Sequence, residues 1–392
     1  MTTTAPAAPT IENRSIIALF MLSATLTAGY GVLFTLVGDY RDEYGISETM
    51  VGLIIGIGFI VSFVAQTVLG PLGDRGHART LIIIGSVSNI TGLLLMGFGT
   101  SSTVLLTGRI ISGLAIGAAA PAIKRIVVVG SGENLGRNLG SLFSADVLGF
   151  AIGPVVSAVL VGPLGIPGPF VVIAALNLAV TAWVVTSIEV PESAESEPTR
   201  FAFDLLKDPP FAGAVILGTA AFVMIGAFDA LWDVVHTDLD TPEWMANLGI
   251  AIFAIPLVLL GPTAGRIAQA KGPFLVASLG LIAAAIFLGI YGALTVGALI
   301  FAFTMGHALT DGLTFAASGV AVGMTAPEQR QAGAQGVLGG MQSLGAGLMA
   351  PLTGWVYENH GQRAAYWLAS GIVLAMTATG LGVAGSARRL RG

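Results

Sequence analysis

The chain alternates between long apolar runs and short polar interruptions, and the apolar runs lack the period-two alternation of a half-buried strand. A helix crossing a bilayer needs about 20 apolar residues. Runs of that length predict twelve spans. Spans 1 to 6 cover about 15–38, 49–69, 80–99, 103–124, 138–162 and 168–188. Spans 7 to 12 cover about 211–236, 245–265, 273–293, 296–319, 333–356 and 363–384. Barrel strands of an outer membrane alternate apolar and polar residues, so the unbroken runs exclude a barrel. The longest interruption begins Glu189-Val-Pro-Glu-Ser-Ala-Glu-Ser-Glu-Pro, and the stretch from Arg200 to Asp208 after it is predicted as a short surface helix. The expected organisation is a six-helix bundle over 1–188, a linker over 189–210 and a second six-helix bundle over 211–392.

Charge placement tests the count. With an N-terminus on the cytoplasmic side, fourteen of the 17 basic residues fall at cytoplasmic ends. Arg41 and Arg363 fall outside, and Arg109 lies within span 4. That split follows the positive-inside rule, and an odd number of spans in either half would destroy it. Composition agrees: 54% of the 392 residues are hydrophobic and 10% are charged, with a mean hydropathy of +0.86. A soluble enzyme, a disordered protein and a nucleic-acid binder are excluded. The net charge of −5 offers no basic surface for phosphates. There is no cysteine, which removes disulfides, thiolate metal sites and cysteine nucleophiles. The run from Ser15 to Gly38 is too long for a signal-peptide core and is taken as an uncleaved first span.

The halves repeat each other. Gly70-Pro71-Leu72-Gly73-Asp74-Arg75 follows span 2, and Gly261-Pro262-Thr263-Ala264-Gly265-Arg266 follows span 8. Span 5 carries Gly153-Pro154 and span 11 carries Ala350-Pro351. A duplicated six-helix unit with a site between its halves is a transporter design. The stretch Gly70 to Arg79 resembles the loop 2–3 signature of the major facilitator superfamily, matching at Gly70, Leu72, Asp74, Arg75 and Arg79. His77 and Ala78 depart from it. In span 4, Arg109-Ile-Ile-Ser112-Gly113 with Gly117 resembles a second signature of that family. In span 5, Gly140, Gly149, Gly153 and Pro154 are similar to the signature of the drug:proton antiporter branch, with Ser157-Ala158 in place of its final glycine pair. The resemblance covers all twelve spans. It implies an all-α membrane protein with two pseudo-symmetric six-helix bundles, the major facilitator fold, working as a monomer. It also implies that spans 1, 4, 7 and 10 line a central cavity.

Charges at membrane depth cost at least about 2.5–3.5 kcal/mol, so each is a functional candidate. Arg109 lies in span 4, Asp146 in span 5, Asp229 in span 7, and His307 with Asp311 in span 10. His307 and Asp311 are four apart, on one helix face. They are expected to face the cavity and carry a proton, or else to form a packed structural pair. The resemblance gives Arg109 a role in proton coupling; a plainer role is to bond backbone carbonyls at the helix ends. Asp146 is expected to face Lys124 or Arg125, as a coupling group or a structural ion pair. Asp229, Asp233 and His236 form one stripe, read as an acidic vestibule in preference to a metal site. Asp74 and Arg75 are expected to latch the cytoplasmic face.

The expected function is a secondary active transporter in the cytoplasmic membrane that exports a lipophilic or cationic small molecule against protons. Both termini are expected in the cytoplasm. No cofactor, metal or nucleic-acid partner is expected, and no Walker motif supports ATP hydrolysis. The alternatives are a proton-coupled importer of a small metabolite and, from another class, an intramembrane enzyme or non-transporting sensor.

Overall fold

The computed structural model describes residues 13–187 and 201–390. The acidic stretch Glu189–Pro198, Arg200 and Arg391 lie outside the described residues.

The described residues are helical, and twelve helices cross the molecule. Spans 1 to 6 are Asn13–Thr35, Glu48–Leu72, Ala78–Phe98, Ser102–Gly130, Leu135–Leu164 and Pro167–Ser187. Spans 7 to 10 are Pro209–Asp238, Glu243–Lys271, Pro273–Ala293 and Gly297–Thr325. The last helical stretch, Gln331–Leu390, is two spans folded back at Gly361, whose φ of 79° and ψ of 174° interrupt the helix. Span 11 is therefore 331–360 and span 12 is 361–390. Spans 2 and 3 are likewise separated by a tight turn at Arg75 and Gly76, where φ of 84° at Gly76 favours glycine.

Local chemistry sets several ends. The Ser47 hydroxyl accepts from the Met50 amide at the start of span 2. The Asp208 carboxylate accepts from the Phe211 amide at the start of span 7, where Pro209 and Pro210 occupy positions that lack an intrahelical donor. Beyond span 1 the chain turns into a short helix, Val37–Tyr44, not expected from the sequence. Tyr40 anchors it by donating its hydroxyl to the Met96 carbonyl at 2.8 Å.

Spans 1 to 6 pack chiefly on one another, and spans 7 to 12 do likewise. Spans 2 with 11 and 5 with 8 carry the main contacts between these two groups. Small residues let the backbones approach. Gly149 and Gly153 of span 5 press on Ala24, Ala28, Gly31 and Val32 of span 1. The outer surface suits lipid: Leu259, Val159 and Leu348 are 71%, 64% and 63% exposed. Among the described residues, the linker and the ends of spans 2, 4, 6, 8 and 10 share one face, termed here the linker face.

Candidate functional site

At the linker face the two groups of spans meet closely. On the 2–11 seam, a Cβ at Gly70 would lie 3.0 Å from the Ala332 carbonyl, and one at Gly336 would lie 2.4 Å from the Gln66 carbonyl. Gln66 donates to the Ser343 hydroxyl across the seam at 3.2 Å. On the 5–8 seam, Cβ atoms at Gly136 and Gly140 would lie 2.2 and 2.0 Å from the carbonyls of Gly265 and Gly261. No side chain larger than hydrogen fits there.

The same helix faces part toward the opposite side. Phe59 still touches Gly347. One turn and two turns beyond Phe59, Gly56 and Gly52 meet nothing within 4 Å, and neither does Gly354, two turns beyond Gly347. The seam thus opens from mid-depth outward, away from the linker.

Asp74 closes the linker end. It is buried, and its two carboxylate oxygens accept from the Ala332 and Gly333 amides, each at 2.8 Å. Those amides begin span 11 and lack intrahelical partners, and the helix dipole favours an anion there. Arg125 adds an ion pair at 3.2 Å. Arg79 donates to the Val185 carbonyl at 2.6 Å, tying the turn to span 6. The latch therefore runs from Asp74 to a helix terminus and to Arg125, a partner that the motif alone did not supply.

Where the seams open, the surface is acidic and aromatic. Asp229 is exposed, with no polar partner among the described residues. Asp146 is half-buried, accepts from Ser23 and lies within electrostatic reach of Lys124. Beneath them, Phe143 of span 5 stacks on Phe315 of span 10 at 5.2 Å, and Phe222 of span 7 meets Phe315 edge-on at 5.7 Å. These three rings bridge the two groups of spans. Sequence reading did not single them out; the signal available was the two-turn spacing of Phe222 and Asp229 on one face of span 7.

The other intramembrane candidates lie elsewhere. His307 and Asp311 come together at 3.2 Å, at ion-pair distance without hydrogen-bond alignment. They are 0% and 1% exposed, so they do not face the opening in this conformation. Phe287 stacks on the imidazole at 4.9 Å, Phe228 and Phe253 meet its edges, and the Tyr291 hydroxyl lies 3.1 Å from Nδ1. The aromatic rings of spans 7, 8 and 9 occupy the space through which water would reach it.

Arg109 is fully buried. It donates to the carbonyls of Ile54 and Ile55 at 3.3 and 3.4 Å and stacks on Tyr30 at 4.0 Å. No carboxylate pairs with it among the described residues. In the span 7 stripe, Asp233 is exposed while His236 turns inward to Thr241 at 3.0 Å, under Trp232. No group of three metal-ligating side chains forms among the described residues.

Comparison with known proteins places this geometry. The family profile described as Major Facilitator Superfamily matches residues 19–246 and 211–385. An uncharacterized MFS-type transporter of Methanocaldococcus jannaschii is 24% identical over 226 residues, 55% of this chain and 58% of the relative. The class H tetracycline resistance protein of Pasteurella multocida is 26% identical over 163 residues, 41% of this chain and 40% of the relative. The purine ribonucleoside efflux pump NepI of Salmonella enteritidis is 24% identical over 230 residues, 58% of this chain and 55% of the relative. The chain thus spans about half the length of the curated relatives it matches. The human organic anion transporter MFSD10 shares the fold with a TM-score of 0.77 at 15% identity, over 96% of this chain and 100% of that one. The chain is a multi-pass membrane protein and belongs to the Major Facilitator Superfamily.

Proposed function

We propose that this chain is a proton-coupled exporter of lipophilic cations, working by alternating access in the cytoplasmic membrane as a monomer. The linker face is assigned to the cytoplasm from the basic residues gathered there, which puts both termini inside. The observation that carries the reading is the pair of incompletely buried carboxylates, Asp146 from the first six spans and Asp229 from the second six. They stand at two depths above a floor of aromatic rings shared by both groups.

Carboxylates and ring faces attract cations, and flat apolar bodies stack on the rings. A carboxylate reached by water takes up and releases protons as well as cations. One group that binds either gives mutually exclusive occupancy, which is the linkage an antiporter needs. The expected cytoplasmic latch and the antiporter-like motif are compatible with this branch. Relatives named for tetracycline resistance and nucleoside efflux support the outward direction.

The test is proton-driven uptake of ethidium, a planar aromatic cation, into proteoliposomes with an imposed pH gradient. Asp229→Asn is expected to reduce driven uptake by about tenfold, within the usual range of coupling free energies. Exchange without a gradient should fall as well, since the same carboxylate holds the cation, and should lose its dependence on pH. Driven uptake unchanged in both Asp229→Asn and Asp146→Asn would overturn the assignment. Accumulation of a labelled solute in whole cells, in place of its exclusion, would favour the importing alternative.

A further inference from the structure

The latch at Asp74 has a counterpart that uses a different chemistry. Spans 5 and 11 begin at Leu135 and Gln331, and their second residues are Gly136 and Ala332. Each second-residue amide lacks an intrahelical acceptor. The Ala332 amide is held by Asp74, at the exit of span 2. The Gly136 amide is held by the Gln269 side-chain oxygen, near the end of span 8, at 2.6 Å.

Spans 2 and 8 are the repeat partners, through Gly70-Pro71 and Gly261-Pro262. By that register Asp74 corresponds to Gly265. The acceptor has therefore moved one helical turn along, from the Gly265 position to Gln269, and the vacated position lets the backbones touch. A Cβ at Gly265 would lie 1.8 Å from the Gly136 carbonyl. The Gln269 amide also donates to the Glu133 carbonyl at 3.1 Å, so both ends of the side chain grip the turn before span 5. Gly136 and Glu133 lie in the first half of the chain and Gln269 in the second. Its bonds must break when the 5–8 seam opens.

We infer that Gln269 is a second latch of the linker face, a neutral and protonation-insensitive counterpart of the charged latch at Asp74. Each seam has one side chain that caps the start of the helix opposite. The 2–11 seam uses a carboxylate with two amides and a cation. The 5–8 seam uses an amide group that both accepts and donates. Acid that protonates Asp74 loosens one seam and leaves the other held. The inference rests on the alternating-access reading proposed above, since a latch has meaning only if the seam opens.

The chain contains no cysteine, so single reporters can be introduced without background. Ser144→Cys reports the 5–8 seam, where the native hydroxyl lies 3.4 Å from the Leu257 carbonyl, and Ser343→Cys reports the 2–11 seam. Labelling by N-ethylmaleimide is measured on the full-length purified protein. Gln269→Ala is expected to raise the Ser144→Cys labelling rate about five-fold, as loss of one net hydrogen bond would. Gln269→Glu keeps the acceptor for the Gly136 amide and loses the donor to the Glu133 carbonyl, so labelling should fall between the parent and the alanine variant, which a merely structural side chain would not do.

If Gln269→Ala does not fold, Gln269→Met preserves length without polar atoms and should show the same rise. Unchanged labelling in Gln269→Ala or Gln269→Met would overturn the inference, as would a Gln269→Glu protein as open as the alanine variant. Asp74→Asn separates the two levels. If it raises Ser343→Cys labelling while no Gln269 variant acts, the second latch falls and alternating access stands. If neither seam responds to any variant, both fall.

Discussion

The two ends of the interface between the halves are built from opposite materials. At the linker end, glycine backbones touch and side chains cap helix termini, so contact distances are short and nearly every position is filled. At the other end, the same faces of spans 2 and 11 diverge beyond Phe59 and Gly347, and the exposed groups include the carboxylates of Asp229 and Asp233. A repeated unit thus gives two unlike ends. Closing an end requires backbone proximity, which small residues permit. Leaving an end open requires groups that tolerate water, which Asp229 and Asp233 do.

The largest effect is expected at the glycines of the closed end. Gly140→Val places a branched side chain where a single Cβ already lies 2.0 Å from the Gly261 carbonyl. Overpacking of that kind costs about 1–3 kcal/mol or more, directed here against the closed form alone. The expected outcome is near-complete loss of transport, with spin-label distances across the linker face shifted to longer values.

A smaller effect is expected inside the second half. Asp311→Asn replaces a buried carboxyl group that stands beside His307 at 3.2 Å, walled off by Phe228, Phe253 and Phe287. It should change melting temperature while the pH dependence of driven transport stays with Asp229. Loss of that pH dependence in Asp311→Asn, with folding intact, would move the proton site to span 10.

The smallest effect lies in the linker. Arg330 holds Asp204 with paired bonds of 2.5 and 2.6 Å and keeps its carboxyl below the usual carboxylate range. A depressed native value stabilises the fold above the unfolded value of about 3.9, and the gain is lost as pH falls through the native one. Asp204 is 42% exposed, so the pair contributes under about 1 kcal/mol. Asp204→Ala should melt slightly lower at pH 7, and the difference should vanish once the pH falls below the native value.

Span number and order were legible because a bilayer imposes a minimum apolar length and the basic residues mark one side. Span ends were less so. Span 4 runs to Gly130, six residues beyond the end expected at 124. Lys124 and Arg125 read as a stop, yet Arg125 is neutralised by Asp74 and Lys124 sits near Asp146, so the helix carries both charges inside the protein. Site residues were legible as types and not as directions. Lipid and protein core are both apolar, so hydropathy does not phase a helix that is apolar all round. Asp229 and His307 looked alike in sequence; one is exposed and the other is enclosed by aromatic rings that come from three other spans.

One-sided access to Asp229 is open to measurement. Asp229→Cys, the sole cysteine in the chain, is exposed to a membrane-impermeant maleimide in right-side-out and in inside-out vesicles, without substrate. The account predicts rapid labelling from the outside and little from the cytoplasmic side, because both seams are shut at the linker face. Rapid labelling from the cytoplasmic side, or none from either, would contradict it.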